Sequence, residues 1–106
     1  GVQPDSNDLV RLEYEGSLTN GDVFDSSYQR GAPAVMSPQN LVPGWVEALQ
    51  MMRPGDEWML YVPPELGYGE EGRPGIPPHS VLVFRVKMLA VAPAPGGHRG
   101  VGEATG

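Results

Sequence analysis

Few side chains in this chain have chemical reach, and they are scattered along it. There are two histidines, His79 and His98, and no cysteine. His79 follows Pro77-Pro78, and His98 sits in a terminal stretch rich in Gly and Pro. No His-x-x-x-His pair, Asp-rich calcium loop, phosphate-binding Gly-Lys loop or dinucleotide glycine pattern occurs. The lack of cysteine removes disulfides, thiol nucleophiles and thiolate metal sites together, and leaves the compartment open. Ser26-Ser27 has no neighbouring base in the sequence, and Glu65, Glu70 and Glu71 read as a solvated acidic rim. No metal site and no cofactor are expected. An enzyme made from these residues must run a reaction that needs little acid, base or metal.

Rotation about a peptide bond is such a reaction. The amide barrier of about 18–20 kcal/mol comes from resonance that is lost in the twisted state. Only X-Pro bonds populate cis appreciably, and they exchange over roughly tens to hundreds of seconds. A catalyst must hold the proline in a shaped apolar pocket and favour the twisted amide over the planar one. The planar amide is the more polar form, so a water-poor aromatic pocket disfavours it relative to the twisted state. Each tenfold in rate needs about 1.4 kcal/mol of such preference. From periodicity alone, Phe24, Trp45 and Phe84 read as core, and Tyr14 completes an apolar strand face. Tyr68 stands in a loop, where a core role is harder to assign.

The elements that must position these residues follow from their spacing. The chain has 106 residues, enough for one domain, and 40% of them are hydrophobic. Leu9 to Glu15 alternates, with Val10, Leu12 and Tyr14 on one face, as a half-buried strand does. Thr19-Asn20-Gly21-Asp22 carries the Asn-Gly hairpin signal, and Val23 to Asp25 begins the returning strand. Ser26 to Pro33 reads as loop, and Ala34 to Met36 as a short strand piece. Gly44 to Met52 is the one helix, with Trp45, Leu49 and Met52 at helical spacing and Pro54-Gly55 ending it. About two turns of helix are unstable alone, so it must pack on a sheet. Glu57 to Val62 and Ser80 to Val91 are two further alternating strands. Between them, Pro63 to His79 holds five prolines and four glycines, a loop long enough to expect function. The expected organisation is a flexible lead-in over 1–8, a domain over 9–91, and a disordered Gly/Pro-rich tail over 92–106. The fold class is α+β.

Several blocks together carry a resemblance. Val23-Phe24-Asp25-Ser26-Ser27 is followed by Val42-Pro43-Gly44-Trp45, then by Gly55-Asp56-Glu57 leading to Val62-Pro63. Tyr68-Gly69, Pro74-Gly75-Ile76-Pro77-Pro78-His79 and Leu82-Val83-Phe84 complete the set. In order and spacing over about Leu9 to Leu89, these blocks resemble the FKBP family of peptidyl-prolyl cis/trans isomerases, the macrolide-binding immunophilins. Trp45-Val46-Glu47-Ala48-Leu49-Gln50 is most similar to the branch that includes the bacterial macrophage infectivity potentiators.

The resemblance implies a strongly bent antiparallel sheet of about five strands wrapped around one short helix, with a pocket between them. Trp45 would form its floor, and Tyr14, Phe24, Val42, Ile76 and Phe84 its walls, with Leu41 alongside. The Val42 N–H and the Tyr68 hydroxyl would bind substrate carbonyls. Asp25 would sit at the edge, held by Tyr14 and Arg30, so that Asp25, Tyr68, Trp45 and Phe84 carry catalysis. Taken alone, Asp25 reads as a turn cap, Arg30 as a solvated loop charge, and Leu41 and Val42 as seats for the helix. Two positions depart from the family pattern. Met36 stands where the wall usually carries an aromatic, which loosens it, and Arg73 occupies a variable loop position. These departures bear on substrate preference and macrolide affinity more than on the basic activity that the resemblance implies.

The activity implied is isomerisation of X-Pro bonds in peptides and unfolded proteins, assisting protein folding and inhibited by rapamycin or tacrolimus. A non-catalytic module that binds a partner's proline in the same pocket is the alternative. A chaperone role is compatible with the first reading. The formal charge of −6 argues against nucleic acid or an anionic membrane as partner. No apolar run approaches the roughly 20 residues of a membrane span, and a monomer is expected. The resembled branch implies an exported or periplasmic protein, while the composition leaves the cytoplasm open.

Overall fold

A computed structural model describes residues 2–94; of the tail expected over 92–106, the part from 95 onward lies outside the described residues. Five antiparallel strands form the sheet: β1 (Leu9–Leu18), β2 (Val23–Ser26), β3 (Ala34–Met36), β4 (Glu57–Val62) and β5 (Leu82–Ala92). Two α-helical segments, α1 (Ser27–Arg30) and α2 (Pro43–Leu49), are inserted among them. The main path runs β2-β1-β5-β4, and β3 also pairs with β1. The expected α+β architecture, a curled five-stranded sheet around a short helix, is what the chain forms.

The inward residues are those the alternation selects. Val10, Leu12 and Tyr14 from β1 are buried, as are Leu82, Phe84, Val86 and Met88 from β5. They enclose Trp45 and Leu49 of α2 and Met52 just beyond it. β1 is three residues longer than the expected Leu9 to Glu15. Its extension, Gly16-Ser17-Leu18, pairs with Phe84, Val83 and Leu82 of β5. The hairpin turn is where Asn-Gly places it. Gly21 has φ +95°, and its N–H donates to the Leu18 carbonyl at 2.9 Å.

Two expectations about helices need correction. The stretch read as loop from Ser26 contains the single turn α1. Ser26 caps it by accepting from Gln29 N–H at 3.2 Å, and Gly31 ends it with φ +79°. A four-residue helix shows no periodicity, so only its cap and its glycine mark it. Helix α2 begins at Pro43, a favoured first position, and stops at Leu49 rather than Met52. Arg53 precedes Pro54 and is driven out of helical conformation, and the chain unwinds ahead of it.

Helix α1 also diverts the chain between its pairings with β1. β2 pairs with β1 at Glu15 to Ser17, and β3 pairs with it at Val10 to Leu12. In the gap, the Ser27 hydroxyl accepts from the Tyr14 N–H at 2.8 Å and lies 3.2 Å from the Tyr14 carbonyl. Ser27 is fully buried and so replaces a missing strand partner. The residues read as a flexible lead-in carry contacts of their own. Asp8 is buried, and its carboxylate accepts from the N–H groups of Asp5 at 2.8 Å and Ala94 at 3.1 Å.

Candidate active site

A cavity of about 490 Å³ opens between α2, the ends of β1, β2 and β5, and the long loop. Tyr14, Phe24, Asp25, Met36, Leu41, Val42, Trp45, Tyr68 and Phe84 line it, nine of the eleven residues expected there. The other two do not line it. Ile76 is buried in the core and faces a neighbouring cavity, so it supports the loop from beneath rather than forming this wall. Arg30 lies outside the lining but is bound to it through Asp25 and Tyr14.

The floor is a chain of aromatic rings. Trp45 is 4% exposed and sits at the start of α2, where Val42 accepts its N–H at 2.9 Å. Its ring meets Tyr14 edge-on at 5.1 Å and Phe84 at 5.0 Å, and Phe84 meets Phe24 at 5.6 Å. All three interplanar angles are 87° or 88°, the edge-to-face geometry that aromatic quadrupoles favour. The Trp45 Nε1–H is buried with no acceptor among the described residues. The Val42 N–H, at the cavity wall, likewise has no backbone acceptor among them.

At one end of the cavity the polar groups are closed on each other. Tyr14 donates from its hydroxyl to Asp25 Oδ2, and Arg30 Nη1 donates to Asp25 Oδ1. Arg30 Nη2 donates to the Tyr14 hydroxyl at 3.0 Å, and its guanidinium lies 5.4 Å from the Tyr14 ring centre. Burial and then the hydrogen bond to Asp25 push the Tyr14 phenol above its usual 10.0, against the opposing effect of Arg30. Hydrogen bonds to Tyr14 and Asp25 raise Arg30 in turn. The reading of Arg30 as a merely solvated charge therefore gives way to a three-residue unit.

At the other end stands Tyr68, half-buried in the long loop. Its hydroxyl accepts from Arg73 Nη1 at 2.9 Å, and the guanidinium stacks 4.9 Å from its ring centre. No charge pair between this end and the first is formed among the described residues. The described residues hold no group of three or more His, Cys, Asp or Glu side chains that could bind a metal. A ring-floored cavity with polar groups at its rim suits a shape-recognised ligand better than acid–base chemistry.

Over residues 1–89 the sequence matches the family described as FKBP-type peptidyl-prolyl cis-trans isomerase. The chain belongs to this family. It is 51% identical over 92 residues to the peptidyl-prolyl cis-trans isomerase Mip of Coxiella burnetii, covering 86% of this chain and 40% of that one. It is 46% identical over 95 residues to FkpA of Escherichia coli, an FKBP-type peptidyl-prolyl cis-trans isomerase by name, covering 90% and 35%. The chain thus spans well under half the length of these curated relatives. The crystal structure of FkpA from Escherichia coli has a TM-score of 0.87 against it, covering 90% of this chain and 45% of that chain. That of AtFKBP13 has a TM-score of 0.78 at 36% identity, covering 87% and 85%. The likeness to the macrophage infectivity potentiator branch, read from the helix segment, stands.

Three residues of this FKBP domain escaped the sequence reading. Asn40 lines the cavity from the turn that precedes α2. Ser27 fixes the backbone of Tyr14, as described above. Gly16 lies beneath the wall: a Cβ there would stand 2.6 Å from Phe84 Cε1 and 2.8 Å from Phe24 Cζ. A glycine inside an otherwise alternating strand is the signal that could have found it.

Proposed function

We propose that this FKBP domain accelerates cis/trans exchange of X-Pro bonds in exposed or unfolded chains, and so assists folding. The observation that carries this reading is the ring-floored cavity itself. The Trp45 ring would take the pyrrolidine ring on the cavity floor, with the Val42 N–H and the Tyr68 hydroxyl as donors for the carbonyls on either side of it. Tyr14, Phe24, Met36, Leu41, Val42 and Phe84 exclude water from the amide and thereby favour its less polar, twisted form. Asp25 borders the rotating bond, held by Tyr14 and Arg30, and Ile76 buttresses the loop that carries Tyr68. Asp25, Trp45, Tyr68 and Phe84 are the residues assigned to catalysis.

The same cavity would accept rapamycin or tacrolimus, with the FKBP domain acting as a monomer. Likeness to the macrophage infectivity potentiator branch supports an exported or periplasmic setting. Among the described residues no helix is long and apolar enough to cross a membrane.

The test is an isomerisation assay on a short X-Pro peptide with and without rapamycin. The expected result is acceleration that rapamycin abolishes. Tight rapamycin binding without acceleration would replace this reading with the binding module, and failure of both would reduce the likeness to one of fold.

A further inference from the structure

We propose that Arg73 sets the substrate preference of the proline pocket, holding the Tyr68 hydroxyl as a donor and favouring chains that carry an acidic side chain beside the proline. The inference rests on the isomerase reading above and adds to it the chemical class of substrate.

The backbone beneath Arg73 is held rigidly. Arg73 and Ile76 exchange both N–H···O bonds, at 3.0 and 2.8 Å, across Pro74-Gly75. Proline followed by glycine at φ +85° closes such a turn with little strain. Immediately before it, Gly72 has φ +64° and donates to the Tyr68 carbonyl at 3.0 Å. A Cβ on Gly72 would stand 2.4 Å from the Ile76 carbonyl oxygen, so no other residue fits there without shifting the turn. The loop is therefore folded back on Tyr68 twice, by its backbone at Gly72 and by its side chain at Arg73.

The consequence for the hydroxyl follows from donor counting. A phenol has one proton to give and lone pairs to receive. Arg73 Nη1 occupies a lone pair at 2.9 Å, which leaves the proton for an acceptor in the cavity. The adjacent positive charge strengthens that donation.

The consequence for selectivity follows from charge. Asp25 and Arg30 neutralise each other at the opposite end. Arg73 lines the cavity, and among the described residues no carboxylate pairs with it. Glu71 and Asp22 face the neighbouring cavity with Arg73 and form no ion pair with it. Arg73 is thus a cation at the rim of the proline site with no ion-pair partner among the described residues, on a chain whose formal charge is −6. At physiological ionic strength charges more than about 8 Å away are screened, so the contact made at the rim outweighs the net charge of the chain.

The test compares kcat/KM for matched X-Pro peptides carrying Glu, Ala or Lys, placed first before and then after the proline. The wild type should favour Glu over Lys at one of these positions by roughly two- to fivefold, the range for a solvated ion pair. Raising the salt to about 1 M should erase the difference. Arg73→Glu should invert the order. Arg73→Ala should flatten it and also slow the Ala peptide, because the hydroxyl loses its orienting partner. Arg73→Lys should restore the charge order without restoring the rate on the Ala peptide, which a merely structural role would not separate. Equal turnover of all peptides by the wild type, or an order unmoved by Arg73→Glu, would overturn this proposal and leave the isomerase reading standing. No turnover of any peptide would overturn both.

Discussion

The two ends of the pocket are built from the same pair of residue types and differ in one carboxylate. At each, an arginine stacks on a tyrosine and donates to its hydroxyl: Arg30 on Tyr14 and Arg73 on Tyr68. Asp25 closes the first pair, accepting hydrogen bonds from the Tyr14 hydroxyl and from Arg30, so that end is saturated and fixed. No carboxylate closes the second pair among the described residues, so the Tyr68 proton and the Arg73 charge remain available. A saturated group shapes a site, whereas an open one engages what enters. The same chemistry yields a wall at one end and a hand at the other.

The largest effect is expected from the ring both ends share. Trp45→Ala should lose about 3–5 kcal/mol in urea unfolding, the usual cost of deleting a buried large aromatic, and abolish turnover. Trp45→Phe should keep the fold at a smaller cost, since the indole N–H gives up no hydrogen bond among the described residues. Next comes the spacing between the two ends. Gly16→Ala forces a methyl against Phe84 and Phe24 and should cost about 1–3 kcal/mol while displacing both walls. Rapamycin affinity should fall with it, and calorimetry reads both.

Opening the saturated end separates activity from stability. Asp25→Ala should lower kcat/KM by about tenfold, equivalent to 1.4 kcal/mol of the barrier. Its unfolding midpoint should barely move, because the Asp25 and Arg30 side chains are 40% and 49% exposed and water screens the pair. Unchanged turnover in a folded Asp25→Ala protein would remove Asp25 from the site. Tyr68→Phe should show the converse of closure: a few-fold loss in kcat/KM with stability within about 0.5 kcal/mol, the range for surface changes.

The smallest effect is a pH dependence confined to the closed end. Tyr14 is raised when folded, so its phenol stays neutral to higher pH than in the unfolded chain. Its contribution to stability is complete below the unfolded value near 10.0 and is lost as pH rises through the folded value. Urea midpoints above about pH 10 should therefore fall more steeply for the wild type than for Tyr14→Phe. Parallel slopes would place the Tyr14 hydroxyl in contact with water.

The sequence made the sheet legible because half-buried antiparallel strands alternate, and Val10-x-Leu12-x-Tyr14 or Leu82-x-Phe84-x-Val86 can bury only one face. The blocks around Phe24, Trp45 and Phe84 made the pocket legible through resemblance, where periodicity alone gave core. What stayed hidden is local or three-dimensional. Helix α1 is one turn long and leaves no repeat. Ser27 matters only because the chain leaves β1 and rejoins it. The Arg73 contact with Tyr68 depends on the Pro74-Gly75 turn folding back, which spacing along the chain does not reveal. Ile76, assigned to the pocket wall through resemblance, packs in the core and borders the neighbouring cavity, a placement that only the folded loop defines.

The most direct test of the central claim is exchange spectroscopy on an X-Pro peptide with the protein present far below stoichiometry. A ring-floored pocket that favours the twisted amide predicts faster cis/trans exchange with the cis fraction unchanged, since a catalyst lowers both barriers alike. Exchange at the uncatalysed rate in the presence of folded protein would contradict it.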